Sequence, residues 1–470
     1  MEENLNYSEE DALSNLVGRF EKMIQEDQHY FFDSSEFIEI IDFYLMNNQK
    51  DKLKIALEMG REYFPMNIEL EIREAQFNIL NNKRELALEQ LKSLYALYPD
   101  NPDVLLSMAA IYSELNRHGE AISYLELALE VDENPEHVLL SLAMEYQQIG
   151  QFRKSVSVLK RLISMRPEDD FVLNELAHVF DAAKSYDESI RFFTRYADDH
   201  PFNAFAWFHL GNAYSSQKKY NEALEAYDYT LAIDPEFSSA IFNRGHVFLS
   251  TSRYNEAVKC FEETLQIEGK DAVTLYFIGE AWFAAGKLDK AQQYYSESIE
   301  ADANHMESRI GLAFVYNDRG EYDQALQQIE QALRIESTHS EANQIKGDIL
   351  INLNRFADAI DALRKAVLLD TQNVDAWLIL SEATMLQDDA EGALKVLAEA
   401  EKAVEEPVLI IYRKAAYLFE TDRYKEGEMV LLTALEMNIA ELNSVFEYNA
   451  ELREHVVLNE IISNYKKTNG

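Results

Sequence analysis

At 470 residues the chain is too long for one ordinary globular core, which leaves several domains or a repeat array. Its 84 acids against 43 bases give a formal charge of −41, so phosphate backbones and anionic lipid surfaces are repelled, and neither nucleic acid nor membrane is expected as a partner. Scarce glycine and proline, 15 and 8, favour helix nearly throughout, and the single cysteine, Cys260, excludes an intrachain disulfide.

The first residues, Met1, Glu2, Glu3 and Asn4, carry acids where a secretory leader needs bases, and no apolar run of about 18 residues follows them, so a cytoplasmic location is expected. Residues 1–33 read as an amino-terminal capping helix. Ser8 is its expected cap, Glu9, Glu10 and Asp11 match the helix dipole, and Leu13, Leu16, Val17, Phe20 and Ile24 form its apolar stripe.

From Ser34 a period takes over. Pro65, Pro99, Pro167, Pro201 and Pro235 are spaced by 34 residues or twice that. Proline breaks a helix interior and suits a helix entry, so a fixed proline spacing means a fixed helix-turn spacing. In units of 34 counted from Ser34, the eighth place is small in eleven of twelve, Ala75 to Ala415 with Ile41 the exception. The twentieth place is small equally often, Ala87 to Gly427, with Leu53 the exception. Small residues at both places let two helices cross closely. A large apolar residue at the twenty-fourth place, Leu57 through Leu431, and aromatic residues at the eleventh, such as Tyr44, Tyr214 and Trp282, fill the space around the crossing.

Spacings of three and four put these residues on one helical face, and short polar turns such as Gln217 to Tyr220 separate the two helices of a unit. Twelve contiguous units occupy residues 34–441. Glu74, Arg244, Lys346 and Lys414 put charges at the otherwise apolar seventh place. Residues 442–470 read as carboxy-terminal capping helices: a short apolar piece from Leu442 to Tyr448, then one helix from Glu451 to Lys467. That last helix is expected to turn Leu452, Val456, Val457, Ile461 and Tyr465 inward, with Lys466 and Lys467 at its negative end.

These columns resemble the tetratricopeptide repeat. The best match, Ala204 to Phe237, carries Trp207, Leu210, Gly211, Tyr214, Ala223, Tyr227 and Pro235 in the order of that motif, with Thr230 replacing its second alanine. The resemblance implies an all-α fold, a right-handed α-solenoid (superhelix) of about twelve 34-residue helical hairpins with a helical cap at each end. It also implies a concave surface that accepts extended peptides or helices of other proteins. The stretch 446–455 is similar to the tail of long cytoplasmic bacterial members of the family.

In each first helix the second, fifth, ninth and twelfth places adjoin the packing face. Across the central units that face holds Phe205, Phe208, Asn212, Phe242, His246, Tyr276, Glu280, Phe283, Phe314 and Asn317. These residues are expected to form an aromatic groove with polar punctuation that binds a partner segment. The competing reading is that the rings thicken the packing between neighbouring first helices. Asp42, Glu69, Asp348, Asp375 and Glu382 lie on the same face and suit a basic, Lys- or Arg-bearing segment. Asn212 and Asn243 sit where some family members place the asparagines of a clamp for a carboxy-terminal carboxylate. Phe208, Val273 and Phe277 hold the basic places of that clamp, so the resemblance implies no binding of that kind here.

Chemistry is sparse. Gly269-Lys270 and Gly286-Lys287 lack the upstream glycines of a phosphate-binding loop, and the ten histidines include no pair at helical metal-ligand spacing. His305 and His339 read as solvated turn residues, and Cys260 as a small buried hydrophobe. No stretch of about 100 residues, an ordinary domain, lies outside the repeats. The expected function is therefore a non-catalytic scaffold or adaptor for other proteins, with no cofactor, metal or small-molecule substrate. The alternatives are a chaperone-like holder of apolar segments and a regulatory subunit of an enzyme complex.

Overall fold

A computed structural model of the chain describes residues 9–26 and 30–469, and every element among them is a helix. They form two compact units, Met1–Ile233 and Asp234–Gly470. Each unit holds six helical hairpins. First helices begin at Ser34, Ile68, Pro102, Glu136, Asp170 and Ala204 in one unit, and at Ser238, Ala272, Met306, Ser340, Val374 and Val408 in the other. The second helices begin at Lys50, Arg84, His118, Phe152, Tyr186 and Tyr220, and at Tyr254, Leu288, Tyr322, Phe356, Ala390 and Tyr424.

Local chemistry explains these boundaries. The residue before each first helix is a side-chain N-cap in nine of twelve hairpins: Asp33, Asn67, Asn101, Asp169, Asn203, Asp271, His305, His339 and Asn373 each accept a backbone N–H of the first turn. His305 and His339 are thus structural caps at half-buried positions, which corrects their reading as solvated turn residues. Neutral imidazole offers one ring nitrogen as an acceptor, so it can do the work of asparagine.

The turn inside each hairpin is equally regular. Its fifteenth place adopts a left-handed backbone in all twelve, from Asn48 (φ 52°) through Lys218 (φ 59°) and Gly286 (φ 71°) to Asp422 (φ 59°). One place later, the N–H of Gln49, Lys83, Arg117 and their counterparts reaches back to the carbonyl of the eleventh place, for example Gln49 to Tyr44 at 3.0 Å and Lys287 to Trp282 at 2.9 Å. This is the six-to-one hydrogen bond of a Schellman ending, which stops the helix and reverses the chain.

Packing follows the size columns. All twelve residues of the twenty-fourth place are buried, and in the four hairpins with glycine at the eighth place they face it. Where the eighth place is glycine its partner is often a ring: a Cβ at Gly211 would stand 2.6 Å from Tyr227, one at Gly245 2.7 Å from Phe261, and one at Gly279 2.6 Å from Tyr295. The charged seventh places are neutralised by ion pairs. Glu74 meets Arg61 at 2.6 Å, Arg244 meets Glu263 at 3.7 Å, Lys346 meets Glu330 at 2.9 Å and Lys414 meets Glu401 at 2.7 Å.

At the start of the first unit, helix Glu9–Glu26 docks through Leu16, Val17 and a fully buried Phe20, whose ring packs on Phe32, Phe37 and Tyr44. Ile24, expected inward, is exposed, and its place is taken by Met23. Ser8 lies outside the described residues. At the end of the second unit, the expected helix from Glu451 to Lys467 is broken. A 3-10 turn spans Ala450–Glu454, His455 is extended (φ −69°, ψ 112°), and an α-helix runs Val456–Asn469. His455 accepts the Leu458 N–H at 3.3 Å and so caps the new helix. The break shifts the helical phase: Val456 and Val457 face outward, while Leu458, Ile461 and Ile462 pack inward with Leu452.

Replacing Gly279 by Ala forces its new methyl into the Tyr295 ring. Overpacking of this kind costs about 1–3 kcal/mol, and the urea midpoint of Gly279→Ala is expected to fall accordingly, with Gly119→Ala, whose Cβ meets nothing within 4 Å, as the control that does not fall.

Candidate functional site

The ten residues of the expected groove lie on four places of four first helices, and all ten are half-buried. Three belong to the first unit. Asn212 accepts the Tyr227 hydroxyl at 2.8 Å through its Oδ1, and Phe208 lies 6.3 Å from the Tyr227 ring. Phe205 is among the partly buried residues that close the core around Phe193 and Leu210. Next to Phe208, His209 is buried, and its Nε2 lies 2.7 Å from Asn174 Oδ1, to which it donates. Burial depresses its pKa to about 4.

The other seven belong to the second unit. Phe242 and His246 join an aromatic cluster with Phe261 and Phe277, in which His246 stands edge-on to Phe277 at 4.3 Å and to Phe242 at 4.6 Å. These two side chains pack neighbouring helices together, and burial pushes the His246 pKa down, which favours the neutral ring. Tyr276 and Tyr295 both donate their hydroxyls to Glu280. Burial pushes the Glu280 carboxyl up from its ordinary range against those two hydrogen bonds, and the field of Glu341 adds to the rise. Phe283 packs against Phe314 at 6.3 Å, and Asn317 Oδ1 is 3.4 Å from Asn352 Nδ2.

Phe314 and Asn317 also open onto a groove of about 780 Å³ formed by the first helices Met306–Asp318, Ser340–Asn352 and Val374–Leu386. Its apolar floor is Phe314, Ile345 and Ile379. Four carboxylates line it, Glu341, Asp348, Asp370 and Asp375, together with His339 and without any lysine or arginine. Asp348 is the most enclosed of them in character, since burial alone pushes its carboxyl above the usual range.

The sequence placed five acids on this face, but they are not equivalent. Asp42 is held by both ends of the Arg73 guanidinium at 2.9 and 3.0 Å, and Glu382 faces Arg413 at 3.5 Å. A register rule explains the contrast. The ninth place of one hairpin meets the sixth place of the next, as in Asp42 with Arg73, His246 with Phe277, and Glu382 with Arg413. For Asp348 that sixth place is Ile379, which brings a hydrocarbon where the other two acids find a cation. The groove thus holds one half-buried carboxylate, Asp348, without a counter-ion among the described residues, beside the exposed Glu341, Asp370 and Asp375, and its partial desolvation is costly until a cation arrives.

Protonation of His209 is opposed by its burial, so the folded chain binds fewer protons there than the unfolded one between pH 6.5 and about 4. Stability from this group is present above pH 6.5 and is lost as the pH falls through that window. Relative to His209→Gln, the natural chain is expected to lose about 2 kcal/mol between pH 7 and pH 5, read from urea midpoints at the two values.

Three models of the tetratricopeptide repeat match the chain: one at residues 204–237, one at 79–144 and 282–349, and one at 140–204, 242–305 and 346–406. Together they cover more than half of it. Among solved structures the chain is similar to one from the Cut9–Hcn1 hetero-tetramer of the APC/C, with 13% identity over 85% of this chain and 94% of that one and a TM-score of 0.42. YrrB, a TPR protein with an unusual peptide-binding site, shows 23% identity over 39% of this chain and 95% of its own, with a TM-score of 0.32. Pseudomonas aeruginosa PilF shows 18% identity over 42% and 90%, with a TM-score of 0.38. No curated protein matches the chain.

Proposed function

Because the chain belongs to the tetratricopeptide repeat family, whose members mediate protein–protein interactions, we propose that it is a non-catalytic cytoplasmic scaffold that holds a lysine- or arginine-bearing segment of a partner protein in the groove between Phe314 and Ile379. One observation carries this reading: Asp348, together with Glu341 and Asp375, presents carboxylates with no cation beside them on an apolar floor. An arginine or lysine entering there would keep its aliphatic stem against Phe314, Ile345 and Ile379 and its charge among the acids. Asn317 and Gln344, the latter oriented by Asn373 at 2.7 Å, supply amides for the backbone of an extended peptide.

Tyr276 and Phe283, in the same unit, extend this reading as apolar contacts for the rest of the partner, whereas Phe242 and His246 serve mainly to hold their neighbours in place. Charge also sets the approach, since a chain at −41 draws basic segments in and rejects acidic ones at long range.

The reading is tested with a fluorescein-labelled peptide of alternating arginine and leucine, its binding followed by anisotropy. Losing a charge-assisted contact is worth about 1.5–3 kcal/mol, so Asp348→Asn with Asp375→Asn is expected to weaken binding at least about tenfold. Ile379→Arg, which supplies the missing cation from within as Arg73 and Arg413 do elsewhere, is expected to weaken it likewise. Equal affinity of all three proteins for the peptide would remove the groove from the function.

A further inference from the structure

The first unit carries a feature of the opposite sign. The second helix Phe152–Met165 bears Arg153, Lys154, Lys160 and Arg161 and no acid, in a chain whose net charge is −41. Between it and the next second helix, Tyr186–Asp199, lies a pocket of about 560 Å³. Arg161 and Arg195 occupy the same place in consecutive hairpins, so this one basic place is repeated on the next helix, which also carries Arg191 among the acids Asp187, Glu188, Asp198 and Asp199.

The charges around this pocket are incompletely matched. Lys160 is paired with Glu188 at 2.7 Å, but Arg195 comes no closer than 4.0 Å to Asp199, and both Arg195 and Arg191 extend into solvent at the rim. Below them the pocket is aromatic. Phe192 and Tyr196 are stacked with centroids 5.9 Å apart, and Tyr196 in turn packs on His200 at 4.6 Å. Tyr196 is 8% exposed, and its hydroxyl is buried without a hydrogen-bond partner among the described residues. Buried phenol groups are nearly always paired, so this one is a polar group for which no described residue provides a match.

We propose that this pocket is a second binding site, which takes an acidic segment bearing an aromatic side chain from a partner protein. The carboxylates meet Arg191 and Arg195 at the rim, and the aromatic ring joins the Phe192–Tyr196 stack between Ile163 and Pro167. The overall negative charge does not forbid this. At physiological salt the screening length is about 8 Å, so a segment seated in the pocket feels little of the distant acids; of the lining charges Glu188 is matched by Lys160, which leaves Arg191 and Arg195 against Asp199. The site is independent of the groove between Phe314 and Ile379, being in the other unit and of the other sign.

The test uses the full chain and a fluorescein-labelled peptide of alternating glutamate and phenylalanine, at 0.15 M salt, with anisotropy as the readout. Saturable binding is expected, and Arg191→Glu with Arg195→Glu weakens it at least tenfold while the affinity for the arginine–leucine peptide stays within twofold. Both arginines are exposed, so the fold tolerates the change, and an unaltered helical circular dichroism spectrum verifies that. Replacing the glutamates of the peptide by glutamine abolishes binding in the same way. Absence of saturation up to 1 mM peptide, or equal affinity of the natural and charge-reversed chains, would overturn the proposal.

Discussion

The hairpin depends on one steric constraint: the first helix comes so near the second that a small residue stands at its eighth place in eleven of twelve hairpins, Ile41 being the exception. Opposite that place stands the twenty-fourth, always buried and always large, from Leu57 to Leu431. Burying a side chain of this kind contributes about 1.5–3 kcal/mol, and the gain exists only while the two helices remain close. Each hairpin is too thin to cover both of its faces, so its stability is shared with its neighbours. A side chain too large at one crossing therefore disturbs more than one hairpin.

That constraint is also why the fold was legible. Size patterns at the eighth, twentieth and twenty-fourth places are visible in residue identities alone, and they set the register in which Ser34, Ile68 and the later helices begin. The helix starts have a second signature that the size pattern does not contain, the column of Asp, Asn and His that ends with Asn373. Asparagine and aspartate announce such a cap, whereas histidine does so only when its ring nitrogen is seen to face the backbone, as at His305. Where repetition ends, prediction by period fails. His455 interrupts a stretch that looks continuously helical, and no neighbouring repeat supplies a column against which Val456 could be judged.

The groove was legible as a face and not as a site. Helical spacing identifies which residues share a side of the first helix, and all ten expected residues do lie half-buried there. Spacing cannot say what the next helix brings against them. Phe242 and His246 meet Phe277 and become packing, while Phe314 meets Ile345 beside an open groove. Asn174, which fixes His209, lies 35 residues away in sequence, a separation at which a helical face carries no information. Only the full periodic lattice, one hairpin set beside the next, turns these residues into neighbours.

Once that lattice is known, a charge can be read by its partner in the next hairpin. Arg73 and Arg413 cancel Asp42 and Glu382, so those acids belong to the scaffold, whatever their position on the groove face. Ile379 leaves Asp348 exposed to the cost of desolvation with no cation to offset it. A repeat protein can thus create a binding position by withholding one side chain from a column, without altering its backbone. The same logic applies in reverse to the second helices, where the loss of acids from Phe152–Met165 leaves positive charge on a chain that is otherwise strongly negative. Departures from the column carry the specificity because adherence to it is already used up in holding the helices together.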